Sequence, residues 1–144
     1  MPPEGWRRGI DPRSGPAGEA ARPIRVLVVE DDLEVMKVLT EMLVQHGHEV
    51  VPAQNGVAAM VALTAPDPDC PEVVLLDLGL PLESGLSVLS FLRNVMRSGL
   101  PVVVLTGRNE PEEEAAVRAL GVSDYLHKPA SPSAILAAIA KAVA

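Results

Sequence analysis

The chain has 144 residues, with 12 Lys and Arg against 19 Asp and Glu and a net charge of −7, a balance that argues against direct binding of nucleic acid or anionic lipid. Hydrophobic residues make up 48% and aromatic residues 2%, which excludes a disordered chain and predicts one domain with an aliphatic core. The single cysteine, Cys70, excludes an internal disulfide and a multi-cysteine metal site.

Residues 1–22 are rich in Gly, Pro, Ala and Arg and show no hydrophobic period. They are expected to form a flexible tail of net charge +1, leaving −8 on the remainder. The tail holds the only Trp, Trp6, so Trp fluorescence should report poorly on the rest. From residue 23 onward, short apolar runs alternate with helical patterns. The run Ile24–Val29 predicts a first strand buried on both faces. Val35, Val38, Leu39, Met42 and Leu43 then form a helical stripe that ends at Gly47. Glu49–Ala53 is a shorter second strand, followed by a helix from Ala58 to Leu63. Cys70 falls in the Pro-rich segment after it and reads as an incidental loop thiol. Val73–Leu76 is a third strand, and Val88, Leu89, Leu92, Val95 and Met96 mark a third helix. Pro101–Leu105 is a fourth strand. Glu112–Leu120 is a helix with acids at its N-terminus, where the helix dipole favours them, and Gly121 past its end. Asp124–His127 is a fifth strand. Ser131-Pro132 starts the last helix, which carries Ile135, Leu136, Ile139 and Val143. The pattern is five βα units, with no output domain expected after them. No apolar run is long enough to span a bilayer and no secretory signal is visible, so a cytoplasmic protein is expected.

In an open parallel α/β sheet the carboxyl ends of all strands share one edge, where ligands bind. Glu30, Asp31 and Asp32 follow the first strand, Asp77 closes the third, Thr106 the fourth, and Lys128 follows the fifth. These positions are therefore expected to converge on one pocket. Clustered carboxylates repel unless a cation joins them. Oxygen ligands without His or Cys suit a hard ion such as Mg²⁺. A carboxylate such as Asp77 can itself act as the nucleophile toward phosphorus.

The segments Val28-Val29-Glu30-Asp31-Asp32, Leu75-Leu76-Asp77-Leu78-Gly79-Leu80-Pro81, Val104-Leu105-Thr106-Gly107 and Tyr125-Leu126-His127-Lys128-Pro129 resemble the response-regulator receiver family. The resemblance covers residues 24–144. It implies a (βα)5 flavodoxin-like three-layer α/β sandwich with a five-stranded parallel sheet in order 2-1-3-4-5. It also implies a phosphorelay signalling protein rather than an enzyme, expected to phosphorylate and dephosphorylate itself. Asp77 would be the phosphoacceptor. Glu30, Asp31, Asp77 and the backbone carbonyl of Gly79 would hold Mg²⁺, with Asp31 a direct ligand. Thr106, Gly107 and Lys128 would contact the phosphoryl group, and Thr106 with Tyr125 would form the switch. Gly79 and Arg108, flanking the path of attacking water, would tune the phosphoryl lifetime, with Arg108 slowing loss. The implied partners are a histidine kinase or histidine phosphotransfer protein and a downstream protein. The chain departs from the family pattern at Ala130, where Phe is frequent, and at Glu83, where an apolar residue is frequent.

Simpler readings exist for each residue alone. The acidic triplet reads as a helix start, Asp77 and Thr106 as turn residues, Lys128 and Arg108 as surface cations, and Tyr125 as a strand tyrosine. His46, His48 and His127 lack ligand spacing and read as structural or exposed. A flavin site would need a glycine- and hydroxyl-rich loop where Glu30–Asp32 stand, and a nicotinamide site a Gly-rich turn there. An aspartyl-phosphate hydrolase would place a second Asp at Gly79. The non-enzymatic rival is a pseudo-receiver scaffold, which would typically have lost the acceptor, the acidic pair or the lysine. The last helix is apolar on more than one face. It predicts either burial against a partner or a second copy in a homodimer, or exposure tolerated by small alanines.

Overall fold

Strands made only of Val and Leu need cover on both faces, and helices supply it here. The computed structural model describes residues 22–144; the predicted tail, apart from Arg22, lies outside the described residues. Five strands, β1 (Arg25–Val29), β2 (Glu49–Ala53), β3 (Val73–Leu76), β4 (Val102–Thr106) and β5 (Asp124–His127), form one parallel sheet in the order β2-β1-β3-β4-β5. Helices α1 (Leu33–Gln45), α2 (Gly56–Leu63), α3 (Gly85–Ser90), α4 (Pro111–Leu120) and α5 (Pro132–Val143) alternate with them, and a π-helical turn, Phe91–Val95, prolongs α3. This is the flavodoxin-like topology that the resemblance implied.

Right-handed crossovers explain the layering. The chain leaves β1 in one direction through α1 and returns in the other through α2, α3 and α4, so α1 lies on the opposite face from those three. Alternation along each strand then divides the core. Val26, Val28, Val73, Leu75, Val103 and Leu105 pack against Met36, Leu39, Met42 and Leu43 of α1 and Ile135, Ala138 and Ile139 of α5. Leu27, Val29, Val74, Leu76, Val102 and Val104 pack against Ala59, Leu63, Val88, Leu89, Leu92 and Val117 on the other face. Each buried Val, Leu, Ile or Met side chain contributes about 1.5–3 kcal/mol by leaving water.

Local chemistry sets the helix ends. The Asp32 carboxylate accepts the amides of Glu34 and Val35, capping α1. Asn55, Ser84 and Ser131 cap α2, α3 and α5 in the same way. Gly47 and Gly121 follow α1 and α4 at φ of 87° and 102°, a backbone region that disfavours a side chain.

Two predicted core positions are corrected. Val38 is 62% exposed and Met36 takes the buried place, because Met36 stands three residues before Leu39 and seven before Leu43 on one helix face, while Val38 falls beyond its border. Val95 is 69% exposed. The Met96 amide donates to the Phe91 carbonyl at 2.9 Å, a five-residue step that inserts one residue into the turn. Met96 therefore inherits the inward direction that a regular helix shares with Val95.

Ile24 lies outside the β1 ladder but is 1% exposed, and its amide donates to His48 Nδ1 at 3.2 Å. His48 is thus structural, as expected. On α5 the larger apolar residues are buried or half-buried, while the exposed positions within the helix include Ala134 and Ala137. Among the described residues no helix is long and apolar enough to cross a membrane.

Candidate functional site at the carboxyl edge of the sheet

The strand order reverses between β1 and β3, and the crevice beyond the carboxyl ends of such strands is where open α/β sheets bind ligands. The residues after β1 and β3 meet there. Paired register Val29↔Leu76 brings the next residues, Glu30 and Asp77, level with each other. Their amides extend the ladder: Glu30 N–H donates to the Ala53 carbonyl and Asp77 N–H to that of Val29, each at 3.0 Å. One carboxylate oxygen from each of Glu30, Asp31 and Asp77 lies within 4.8 Å of the others. Asp32, the third acid of the triplet, is occupied in capping α1 and stays out of this group.

Lys128 supplies the opposing charge. Its Nζ donates to Glu30 Oε1 at 2.6 Å and to Asp77 Oδ2 at 3.4 Å, across 98 and 51 residues of sequence. The lysine is positioned by its own amide, which donates to the Thr106 carbonyl at 2.8 Å and ties the end of β5 to the end of β4. Glu30 is 2% exposed. Burial pushes its carboxyl above the usual range, while the hydrogen bond from Lys128 opposes that rise. For Lys128, burial favours the neutral amine, but its hydrogen bond to Glu30 and the charge of Asp77 prevail and raise its pKa.

Asp77 is held from both sides. The Gly79 amide donates to Asp77 Oδ1 at 3.3 Å, and Lys128 reaches the other oxygen. The loop beyond is tightly folded: the Gly85 amide returns to the Leu78 carbonyl at 3.0 Å. Leu78 is fully buried in the core. A β-carbon on Gly85 would lie 2.5 Å from the Asp77 carbonyl oxygen and 2.6 Å from Leu78 Cα. Glycine at 85 therefore fixes the backbone that carries Asp77. Nothing in the hydrophobic pattern marks it, since the contact joins a loop to a helix start.

Of the other predicted residues, Thr106, Gly107 and Arg108 sit at the same edge. Thr106 is fully buried, and its Oγ1 accepts the Arg108 amide at 3.1 Å. Gly107 follows it with open space at its Cα. Tyr125 lies within β5 opposite Val104, 7% exposed in the core, with the Arg118 guanidinium 5.1 Å from its ring centroid. Burial and the neighbouring Glu114 and Glu113 carboxylates raise its phenol pKa, against Arg118 and Arg108. The Arg108 chain crosses over Gly79: a β-carbon there would be 3.3 Å from Arg108 Cδ. Its guanidinium is engaged with Glu113 at 2.9 Å and Glu110 at 3.1 Å. His127 is exposed on β5, its ring 5.3 Å from that of Tyr125. Cys70 lies outside this edge, its thiol bonded to Asp67 at 2.7 Å.

The response regulator receiver domain family matches residues 26–140, and the chain belongs to that family. It is 39% identical to the phosphate regulon transcriptional regulatory protein PhoB of Klebsiella pneumoniae over 116 residues, 80% of this chain and 49% of that protein. It is 36% identical to the transcriptional regulatory protein KdpE of Mycobacterium tuberculosis over 118 residues, 82% of this chain and 50% of the relative. The chain thus spans about half the length of the curated relatives it matches. A CheY-like receiver domain protein from Methanospirillum hungatei superposes with a TM-score of 0.74 at 24% identity, covering 82% of this chain and 91% of that one. The chemotaxis protein CheY4 of Vibrio cholerae gives 0.74 at 23% identity, covering 84% and 99%. These last two likenesses bear on the fold. The chain is a receiver domain homologous to two-component response regulators.

Proposed function

We propose that this receiver accepts a phosphoryl group on Asp77 from the phosphohistidine of a histidine kinase or phosphotransfer protein in the cytoplasm. The observation that carries this reading is the meeting of Glu30, Asp31 and Asp77 around one point, with Lys128 donating to two of them. The donor set fits Mg²⁺: three carboxylates and one ammonium leave a net negative, all-oxygen site, which suits a hard divalent cation. Glu30, Asp31, Asp77 and the Gly79 carbonyl would hold it. When bound, the ion neutralises carboxylate charge and orients phosphoryl oxygens.

The chain's own residues do the rest. One Asp77 carboxylate oxygen attacks phosphorus, a P–O bond forms, and the donor's N–P bond breaks to release a histidine imidazole. Gly79 N–H and Lys128 hold the carboxylate in place for that attack. The Lys128 ammonium, the Thr106 hydroxyl and the Gly107 amide then take the phosphoryl oxygens. A shift of Thr106 toward the phosphoryl group changes the packing over Tyr125 and so the surface formed by α4, β5 and α5, which a downstream protein reads. Water attacking phosphorus reverses the state, releasing inorganic phosphate and restoring the carboxylate. The pseudo-receiver alternative has no observation in its favour, since acceptor, acidic pair and lysine are all present and assembled. Mass spectrometry after incubation with Mg²⁺ and acetyl phosphate is the test. One added phosphoryl group is expected on the wild type and none on Asp77→Asn; no gain on the wild type, or an equal gain on the variant, refutes the reading.

A further inference from the structure

Arg108 joins two parts of the molecule that the proposed chemistry leaves unconnected, the acceptor loop and the start of α4. Its aliphatic stem and Nη1 lie against Gly79, 3.3 and 3.5 Å from where a β-carbon on that residue would stand. Gly79 in turn donates its amide to Asp77. The same guanidinium spends Nε on Glu113 and Nη2 on Glu110. Glu110 caps α4 by position but makes no side-chain hydrogen bond to the helix, and Glu112, Glu113 and Glu114 crowd its first turn. The dipole favours acids there, yet four in five residues repel one another. Arg108 is the cation at Glu110 and Glu113, while Arg118 serves Glu114 at 2.9 Å.

We infer that Arg108 is a two-position latch, held by Glu110 and Glu113 when Asp77 is free and drawn to the phosphoryl group when Asp77 is modified, so that the first turn of α4 reads the state of the site. The inference rests on phosphorylation at Asp77. A phosphoryl group brings a second negative charge and oxygens matched to the planar fork of an arginine. Glu113 and Glu110 compete for that fork from the opposite side. The Arg108 side chain is 42% exposed and Glu110 58%, so that pair is screened and weak, while Glu113, 12% exposed, is the firmer hold that the phosphoryl group must overcome. Transfer of Arg108 leaves the acids of α4 without their counter-charge, and the turn loosens. Placed over the acceptor loop, Arg108 also covers the approach of water, which slows hydrolysis. Reciprocity then requires that weakening the grip of α4 strengthen the grip on the phosphoryl group.

Two readouts on protein treated with Mg²⁺ and acetyl phosphate test the latch. The first is hydrogen exchange at the amides of Glu114 to Val117, where the first intrahelical bond runs from Glu114 N–H to the Glu110 carbonyl. Phosphorylation should speed exchange there about two- to fivefold in the wild type, the scale of a partly exposed ion pair. Arg108→Ala should exchange fast before phosphorylation and gain less from it than the wild type, because only the route through Thr106 and Tyr125 then reaches α4. The second is the decay of phosphorylated protein. Glu113→Gln should lose its phosphoryl group more slowly than the wild type by a similar factor, and Arg108→Ala faster. Equal phosphorylation-dependent change at α4 in Arg108→Ala and wild type, or unaltered decay in Glu113→Gln, overturns the latch while leaving phosphorylation intact. A wild type that takes no phosphoryl group overturns both.

Discussion

Replacing Gly85 by alanine is expected to destabilise the fold by about 1–3 kcal/mol, the range for forcing a methyl group into filled space. The added carbon would meet the Asp77 carbonyl oxygen at 2.5 Å and Leu78 Cα at 2.6 Å, both backbone atoms that cannot swing aside. Leu78 is fully buried, so the displacement is directed at the segment carrying Asp77. A movement approaching 1 Å at the acceptor costs roughly a hundredfold in a reaction that depends on alignment. Phosphoryl acceptance should therefore fall by more than stability alone explains. Gly99→Ala is the control, because nothing lies within 4 Å of a β-carbon there. Its denaturation midpoint should stay close to wild type, within about 0.5 kcal/mol. Equal midpoints for the two variants would contradict the close approach at residue 85.

Lys128→Met should have the second large effect. Methionine keeps most of the stem and removes the ammonium that bonds Glu30 at 2.6 Å and Asp77 at 3.4 Å. Glu30 is then left buried with the amide of Asp32 as its remaining hydrogen-bond donor among the described residues. Breaking a fully buried pair costs about 3–5 kcal/mol. The lysine is a quarter exposed, so about 1–3 kcal/mol is expected here at neutral pH. The pH dependence has a definite sign. Burial already raises the Glu30 pKa, and loss of Lys128 removes the hydrogen bond that opposed the rise. A carboxyl whose folded pKa exceeds its unfolded value destabilises the fold as pH climbs above the unfolded value. The deficit of Lys128→Met should therefore shrink on acidification and grow toward neutrality. Adding Glu30→Gln should restore much of it. Denaturant curves for wild type and both variants at about pH 5 and pH 8 measure this. A deficit independent of pH, or one not relieved by Glu30→Gln, would mean that Lys128 acts through packing.

The fold was legible because its strongest signals are periodic. Short uninterrupted runs rich in Val, such as Val73–Leu76, fit strands covered on both faces, and their alternation with helical patterns fits a parallel sheet. The site was legible for a related reason. Residues directly after strands of a parallel sheet arrive at one edge, so Glu30, Asp77, Thr106 and Lys128 could be placed near one another without knowing a single distance. What escaped the sequence depends on phase and on contacts across loops. The π-helical turn at Phe91–Val95 shifts the helical phase by one residue with no compositional mark, which is why Val95 faces solvent. Val38 looked buried because apolar residues lie on both borders of the α1 stripe, and only packing against the sheet decides between Val38 and Met36. The close approach at Gly85 and the hold of Glu110 and Glu113 on Arg108 arise from three-dimensional folding of loops.

In the proposed reaction a carboxylate oxygen of Asp77 is the destination of the phosphoryl group. Borohydride reduces an acyl phosphate on aspartate to homoserine, converting a labile mark into a stable one. Phosphorylated wild type treated in this way and mapped by peptide mass spectrometry should carry homoserine at position 77 and nowhere else. Homoserine at 30 or 31 in place of 77, or phosphoprotein that yields none, would contradict that reaction.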